Sequence, residues 1–175
     1  MPKEKYWLSF QQGVKEFQEH PTLHDTNGIK CGLKFTNFAD FNLNTENSRL
    51  GIALKEGLIA STSLWLIEDD KFIGAFDVRH SLTEELLKKG GNIACYIIPS
   101  KRKKGYATRD LKLCCKYAKE VLNLNKVLVT CNASNTGSYK TMLKVMKELG
   151  GQEDTPITLD DKEEKRVWIS TKDLL

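Results

Sequence analysis

Near the amino end, apolar residues recur at Tyr6, Trp7, Phe10, Val14 and Phe17. That spacing lines one face of a helix running from Tyr6 to His20, and His20-Pro21 stops it. From Thr22 to Gly57 the pattern weakens among many Asn and Gly residues. It allows a short helix near Phe38 to Leu43 and leaves the rest of the stretch open. The signal sharpens at Ser63-Leu64-Trp65-Leu66-Ile67, a strand followed by the turn Glu68-Asp69-Asp70-Lys71 and a second strand, Phe72 to Arg79. Together these predict an antiparallel hairpin. Ser81 with Glu84 three residues on is a capping box that opens a short helix, which Gly90-Gly91 closes.

A strand at Ile93 to Ile98 comes next, then a basic turn and a long helix from about Tyr106 to Leu122. That helix carries Ala107, Leu111, Cys114, Cys115, Ala118 and Val121 on one face and Arg109, Lys112, Lys116 and Lys119 on the other. A strand from Lys126 to Cys131 precedes a helix with the apolar stripe Tyr139, Met142, Leu143 and Met146, stopped by Gly150-Gly151. Pro156 to Leu159 and Arg166 to Ser170 predict a closing hairpin around Asp160-Asp161-Lys162. Helix-then-strand alternation flanked by hairpins indicates an α/β domain with a mixed sheet. With no repeat, low-complexity tract or linker in view, residues 1–175 read as a single domain.

Composition narrows the class. With 175 residues and 40% hydrophobic content, the chain is large enough for a real core and too apolar for disorder. No apolar run approaches the roughly 20 residues that span a bilayer. The charged start, Met-Pro-Lys-Glu-Lys-Tyr-Trp, lacks a signal peptide's apolar stretch, so no membrane association and a cytoplasmic location are expected. Cys31, Cys95, Cys114, Cys115 and Cys131 are odd in number and contain no C-x-x-C pair. They read as buried thiols in a reducing compartment rather than a metal site or disulfide framework. The formal net charge of +4 is too small to argue for nucleic acid by itself.

Candidate chemistry concentrates in Ile97-Ile98-Pro99-Ser100-Lys101-Arg102-Lys103-Lys104-Gly105-Tyr106-Ala107-Thr108. Three of its properties suit a polyphosphate. Gly105 and Ala107 permit close backbone approach, the following helix offers N–H groups and the positive end of its dipole, and Lys101 to Lys104 add four cations. Neither G-x-x-x-x-G-K-S/T nor G-x-G-x-x-G is present, so a P-loop nucleotidase and a dinucleotide fold are both disfavoured. What stands here is R-x-x-G-x-A, at Arg102, Gly105 and Ala107, between a strand and a helix.

That arrangement resembles motif A of the GNAT superfamily of N-acetyltransferases, R/Q-x-x-G-x-G/A. The likeness runs from about Ser61 to Gly151 and includes Asn135-x-x-Ser138 at the start of the last helix. It looks closest to a bacterial subgroup that combines Val78-Arg79-His80, Gly90-Gly91-Asn92-Ile93 and the Pro99 to Ala107 turn. The resemblance implies a GNAT-like mixed, mostly antiparallel central sheet flanked by helices, with a splayed parallel strand pair.

It further implies acetyl-CoA as cosubstrate, with no metal. Main-chain groups of Arg102, Lys103, Lys104, Gly105, Tyr106, Ala107 and Thr108 would hold the pyrophosphate. Ile97 and Ile98 would meet the pantetheine arm and the thioester carbonyl, and Asn135 and Ser138 would contact the cofactor. The reaction implied is acetyl transfer to a primary amine of a small molecule or peptide, by direct attack in a ternary complex. Such an amine is almost wholly protonated at neutral pH, so a base must act. His80 and Asp77 are candidates, with the imidazole's intrinsic range the better suited.

Many superfamily members place a proton-donating Tyr seven positions after the Asn. Here Met142 occupies that position, which leaves Ser138 and Tyr139 as substitutes. This departure keeps a second reading open, a non-catalytic acyl-CoA-binding module on the same fold. A nucleic-acid binder using the basic helix ranks last, because no aromatic residues interleave the cations. Homodimerisation is common on this fold and is compatible with the sequence.

Overall fold

The computed structural model describes residues 1–19 and 34–174. The predicted stop at His20-Pro21, Cys31 and the first part of the Thr22 to Gly57 stretch lie outside those residues. The rest forms two compact units: Met1–Asp77 with Cys95–Tyr106, and Val78–Ala94 with Ala107–Leu175.

In the first unit, a 3-10 turn Glu4–Tyr6 leads into helix α1, Trp7–Glu19. Its buried residues Trp7, Phe10, Gly13, Val14 and Phe17 follow the predicted stripe. Helix α2, Phe38–Leu50, runs a full turn and more beyond the short helix expected. The Asn37 side chain caps it by accepting from the Asp40 N–H at 2.9 Å. Its sequence signal is faint because only Phe41 and Thr45 are buried.

Phe10, Phe41, Trp65 and Phe72 join these helices to the strands. The Phe10 ring stacks on Trp65 with centroids 4.5 Å apart and meets Phe72 edge-on at 5.2 Å. Strand β1, Ser61–Glu68, turns through Asp69 and Asp70, both at positive φ, into β2, Lys71–Arg79. That turn geometry matches the twist of a tight hairpin. The sheet order is β1-β2-β3, with β3 spanning Ile93–Ile97 at one edge.

In the second unit, α3 is Glu84–Lys88. Its cap is Thr83, which accepts from the Leu86 N–H at 3.2 Å, and the expected Ser81 lies two residues too early. Thr83 offers the same hydroxyl directly before Glu84-Glu85, whose acids suit a first helical turn. Helix α4, Tyr106–Glu120, buries Leu111, Cys114, Cys115 and Ala118 as predicted, and Val121 stays exposed beyond its end. Strand β4 is Lys126–Asn132 and helix α5 is Thr136–Leu149. The closing hairpin, β5 Gly151–Leu159 and β6 Lys162–Ser170, is longer than expected on both strands. Its order is β4-β6-β5, antiparallel throughout, with β5 shifting register between Asp154 and Ile157 around Pro156.

The core of this unit is Val127, Leu128, Val167, Ile169, Met142 and Val145, each at most 1% exposed. Buried Asn92 bonds two partners here. Its C=O accepts from the Arg79 N–H at 2.7 Å, and its side-chain amide donates to the Arg79 carbonyl at 3.3 Å. Its own N–H donates to the Leu128 carbonyl at 2.7 Å, and its Oδ1 accepts from the Leu128 N–H at 2.9 Å. The Arg79 guanidinium donates to the carbonyls of Gly90 and Gly91. A Cβ on Gly91 would stand 2.3 Å from the Leu128 carbonyl oxygen, which explains the glycine there. Among the described residues, no helix is long and apolar enough to cross a membrane.

Candidate functional site

Strand β3 gives way to the turn through a short 3-10 segment, Pro99–Lys101. The Lys101 and Arg102 amides close that segment on Ile98 and Pro99. Beyond Arg102 the pattern changes. Among the described residues, Lys103, Lys104, Gly105, Ala107 and Thr108 donate no main-chain hydrogen bond to a loop carbonyl or a side chain. Lys103 has φ 59 and Gly105 φ 83, so left-handed residues alternate with others along the turn. Successive amides in such a bend converge on one side and form an anion-binding concavity. Lys103, Lys104 and Gly105 are exposed, and nothing lies within 4 Å of where a Gly105 Cβ would stand. The four cations from Lys101 to Lys104 equal the chain's entire formal excess of +4.

The turn is fastened from its own unit. Glu16 of α1 accepts from both the main-chain N–H and the hydroxyl of Ser100, the latter at 3.0 Å. The Arg102 Nε donates to the Ile97 carbonyl at 3.1 Å, with its guanidinium 5.3 Å from the Phe17 ring centroid. The Tyr106 hydroxyl donates to the Glu68 carboxylate at the end of β1. Arg102 therefore enters the site as a strut, its side chain turned back on the protein.

Ile98 departs from its predicted role. Its N–H donates to the Ile73 carbonyl at 3.0 Å, so that amide is engaged within the sheet and is not available to a thioester oxygen. In an antiparallel ladder, main-chain groups of successive residues point to opposite sides. Ile97 accordingly directs its N–H away from β2, off the outer edge of β3.

The candidate catalytic groups divide. Asn135 caps α5, its Oδ1 accepting from the Ser138 N–H at 3.1 Å. The Ser138 hydroxyl contacts the Met142 thioether at 3.8 Å, and burial pushes the nearby Cys131 thiol up to about 11. Met142, at 1% exposure, is core. Tyr139 does not join Ser138. Its hydroxyl donates to the Glu153 carboxylate on β5, and that bond raises its pKa above the ordinary tyrosine value. His80 sits half-buried just past the end of β2. Asp77 accepts from the Ser63 hydroxyl, with the Tyr96 hydroxyl at 3.4 Å, and so belongs to a cross-strand polar cluster. Glu16, Glu68 and Glu153 were not legible in the sequence, since each is one acid among many and its role follows from long-range pairing. Among the described residues, no group of three or more His, Cys, Asp or Glu side chains could hold a metal ion.

Comparison with known proteins identifies the family and the fold. The family profile described as an acetyltransferase (GNAT) domain matches residues 21–150. Among solved structures, Mycobacterium smegmatis RimJ in complex with CoA-disulfide superposes with a TM-score of 0.68 at 15% identity, covering 99% of this chain and 81% of that one. Salmonella typhimurium yncA with its cofactor acetyl-CoA gives 0.60 at 12% identity, covering 95% and 91%. A variant of the spermidine N-acetyltransferase SpeG from Vibrio cholerae gives 0.57 at 13% identity, covering 97% and 94%. No curated protein matches the sequence.

Proposed function

Because the chain belongs to the GNAT acetyltransferase family, we propose that it transfers an acetyl group from acetyl-CoA to a primary amine by direct attack in a ternary complex. The observation that carries this reading is the run of available amides at Lys103, Lys104, Gly105, Ala107 and Thr108, opening onto a helix N-terminus. Those donors, with open space beyond Gly105, fit a diphosphate. Acetyl-CoA supplies the activated acyl group. The Ile97 N–H, aimed off the edge of β3, is the donor we assign to the thioester oxygen. Asn135 and Ser138 support the pantetheine side. His80 is the proposed base. Ser138 is the proposed proton donor, since its hydroxyl rests on a thioether, a weak acceptor that it can leave cheaply. Tyr139 is set aside because Glu153 holds its hydroxyl.

Primary amines include spermidine, the acceptor in the name of the Vibrio cholerae acetyltransferase noted above. The test is a thiol-release screen with acetyl-CoA against amines, polyamines, amino acids and peptide N-termini, with mass spectrometry of the product. Acetylated product from any acceptor supports the reading. His80→Ala should then lower turnover without changing CoA affinity.

One observation favours a second reading. Met142 is buried where many relatives carry the proton-donating tyrosine, as a non-catalytic acyl-CoA-binding module would tolerate. Tight CoA binding with no transfer across the whole panel would select it.

A further inference from the structure

We propose that Glu16 and Glu68 are positioning residues for the phosphate-binding turn, fastening its two ends so that the amides between them stand open before a ligand arrives. This rests on the cofactor reading above and adds to it two acids that make no contact with the ligand's phosphates.

The argument starts from an imbalance. A turn holding four adjacent cations and a left-handed lysine repels itself and strains its backbone, so it needs outside restraint to keep one shape. Among the described residues, three restraints from the first unit stand out. Glu16 grips Ser100 through both its amide and its hydroxyl at the entry. Arg102 is laid back onto the Ile97 carbonyl and the Phe17 ring. Glu68 grips the Tyr106 hydroxyl at the exit. Two of the three are carboxylates, and each takes a hydrogen bond from a residue flanking the cationic run. Those donors are Ser100 and Tyr106, which leaves the charge of Lys103 and Lys104 for an anion.

The division of labour is specific. The Tyr106 main chain lies in the predicted cradle, while its side chain ties that cradle to β1. Phe17 and Glu16 are consecutive on α1 and reach Arg102 and Ser100 respectively, so one turn of helix holds two points of the loop. Pre-set donors bind a ligand without the entropy of ordering them at the moment of binding. Removing one anchor should therefore weaken the cofactor and leave the acceptor alone.

The experiment measures CoA affinity by calorimetry, KM for acetyl-CoA and for an amine identified by the screen, kcat, and melting temperature. The variants are Glu68→Gln, Tyr106→Phe, Glu16→Ala and the double Glu68→Gln/Tyr106→Phe. Each single variant should weaken CoA roughly tenfold, the scale of one hydrogen bond to a charged group, with Glu16→Ala smaller because its site is more exposed. In Glu16→Ala and Glu68→Gln the acceptor KM and kcat at saturation should stay within about twofold, and the double variant should bind CoA no worse than the worse of its two singles, since the Tyr106 hydroxyl bonds the Glu68 carboxylate. Tyr106→Phe keeps its ring packing and guards against simple misfolding.

CoA affinity within twofold of wild type in all the singles overturns the proposal. So does equal loss of cofactor and acceptor affinity, which would mark a general structural role. A wild-type protein that binds no CoA overturns the cofactor reading itself. The two failures are thus told apart by the wild-type titration.

Discussion

Gly105→Val isolates the phosphate cradle. The glycine sits at φ 83, where a side-chain-bearing residue strains the backbone by about 1–2 kcal/mol. For a domain of this size that lowers the melting temperature by about 2–8 °C, which leaves a folded protein at 25 °C. Nothing in the protein lies within 4 Å of the added Cβ, so no internal clash opposes it. The side chain instead fills the space a diphosphate would occupy. Losing two charge-assisted hydrogen bonds, each worth about 1.5–3 kcal/mol, weakens CoA by roughly a hundredfold to ten-thousandfold. Calorimetric titration with CoA, paired with thermal melts, reads both effects. Gly105→Asn separates them, because Asn tolerates the left-handed backbone yet still carries a Cβ; it should keep the melting temperature and still lose affinity. A folded Val variant with wild-type CoA affinity refutes the cradle.

Gly91→Ala should destabilise the protein by about 2–5 kcal/mol in denaturant unfolding, because its Cβ would meet the Leu128 carbonyl oxygen at 2.3 Å from a backbone at φ 57. Met142→Tyr, which introduces the tyrosine that the family resemblance leads one to expect there, should cost about 1–3 kcal/mol by overpacking a site 1% exposed, and should not raise turnover. Tyr139 should titrate above the ordinary tyrosine range near 10 by ultraviolet absorbance, and Glu153→Gln should bring it back. The sign is set by the protonated phenol donating to Glu153: the stability it contributes is present below pH ~10 and is lost as pH rises through the higher folded value. A thermal stability difference between wild type and Glu153→Gln that grows above pH 10 would contradict this.

What could be read from the sequence was whatever is encoded locally. The turn at Pro99 to Thr108 announced itself through composition and through its position between a strand and a helix, and the stripe on α4 through period alone. Helix α2 was cut short because only Phe41 and Thr45 of its 13 residues are buried, too few to set a period across an Asn-rich stretch. The Ser81 cap was displaced to Thr83 because two hydroxyl residues precede the same acids, and spacing cannot choose between them. Family likeness placed Arg102 and Ile98 in the site, and Tyr139 entered as a substitute for the missing tyrosine. The Arg102 amide is taken locally by the Pro99 carbonyl, whereas only long-range pairing with Ile73 and Glu153 reveals that the Ile98 amide and the Tyr139 hydroxyl are engaged.

Asn92 has a consequence for how the chain finds its fold. Four hydrogen bonds from one residue reach two separate strands, and all of them require Arg79 and Leu128 to arrive at matching positions. Sliding either strand by a single step would bury several of these groups without partners, at about 1–3 kcal/mol each. Asn92 thus works as a lock that only the correct alignment can turn, penalising slipped pairings that the Val- and Ile-rich strands, left to hydrophobicity, would scarcely tell apart.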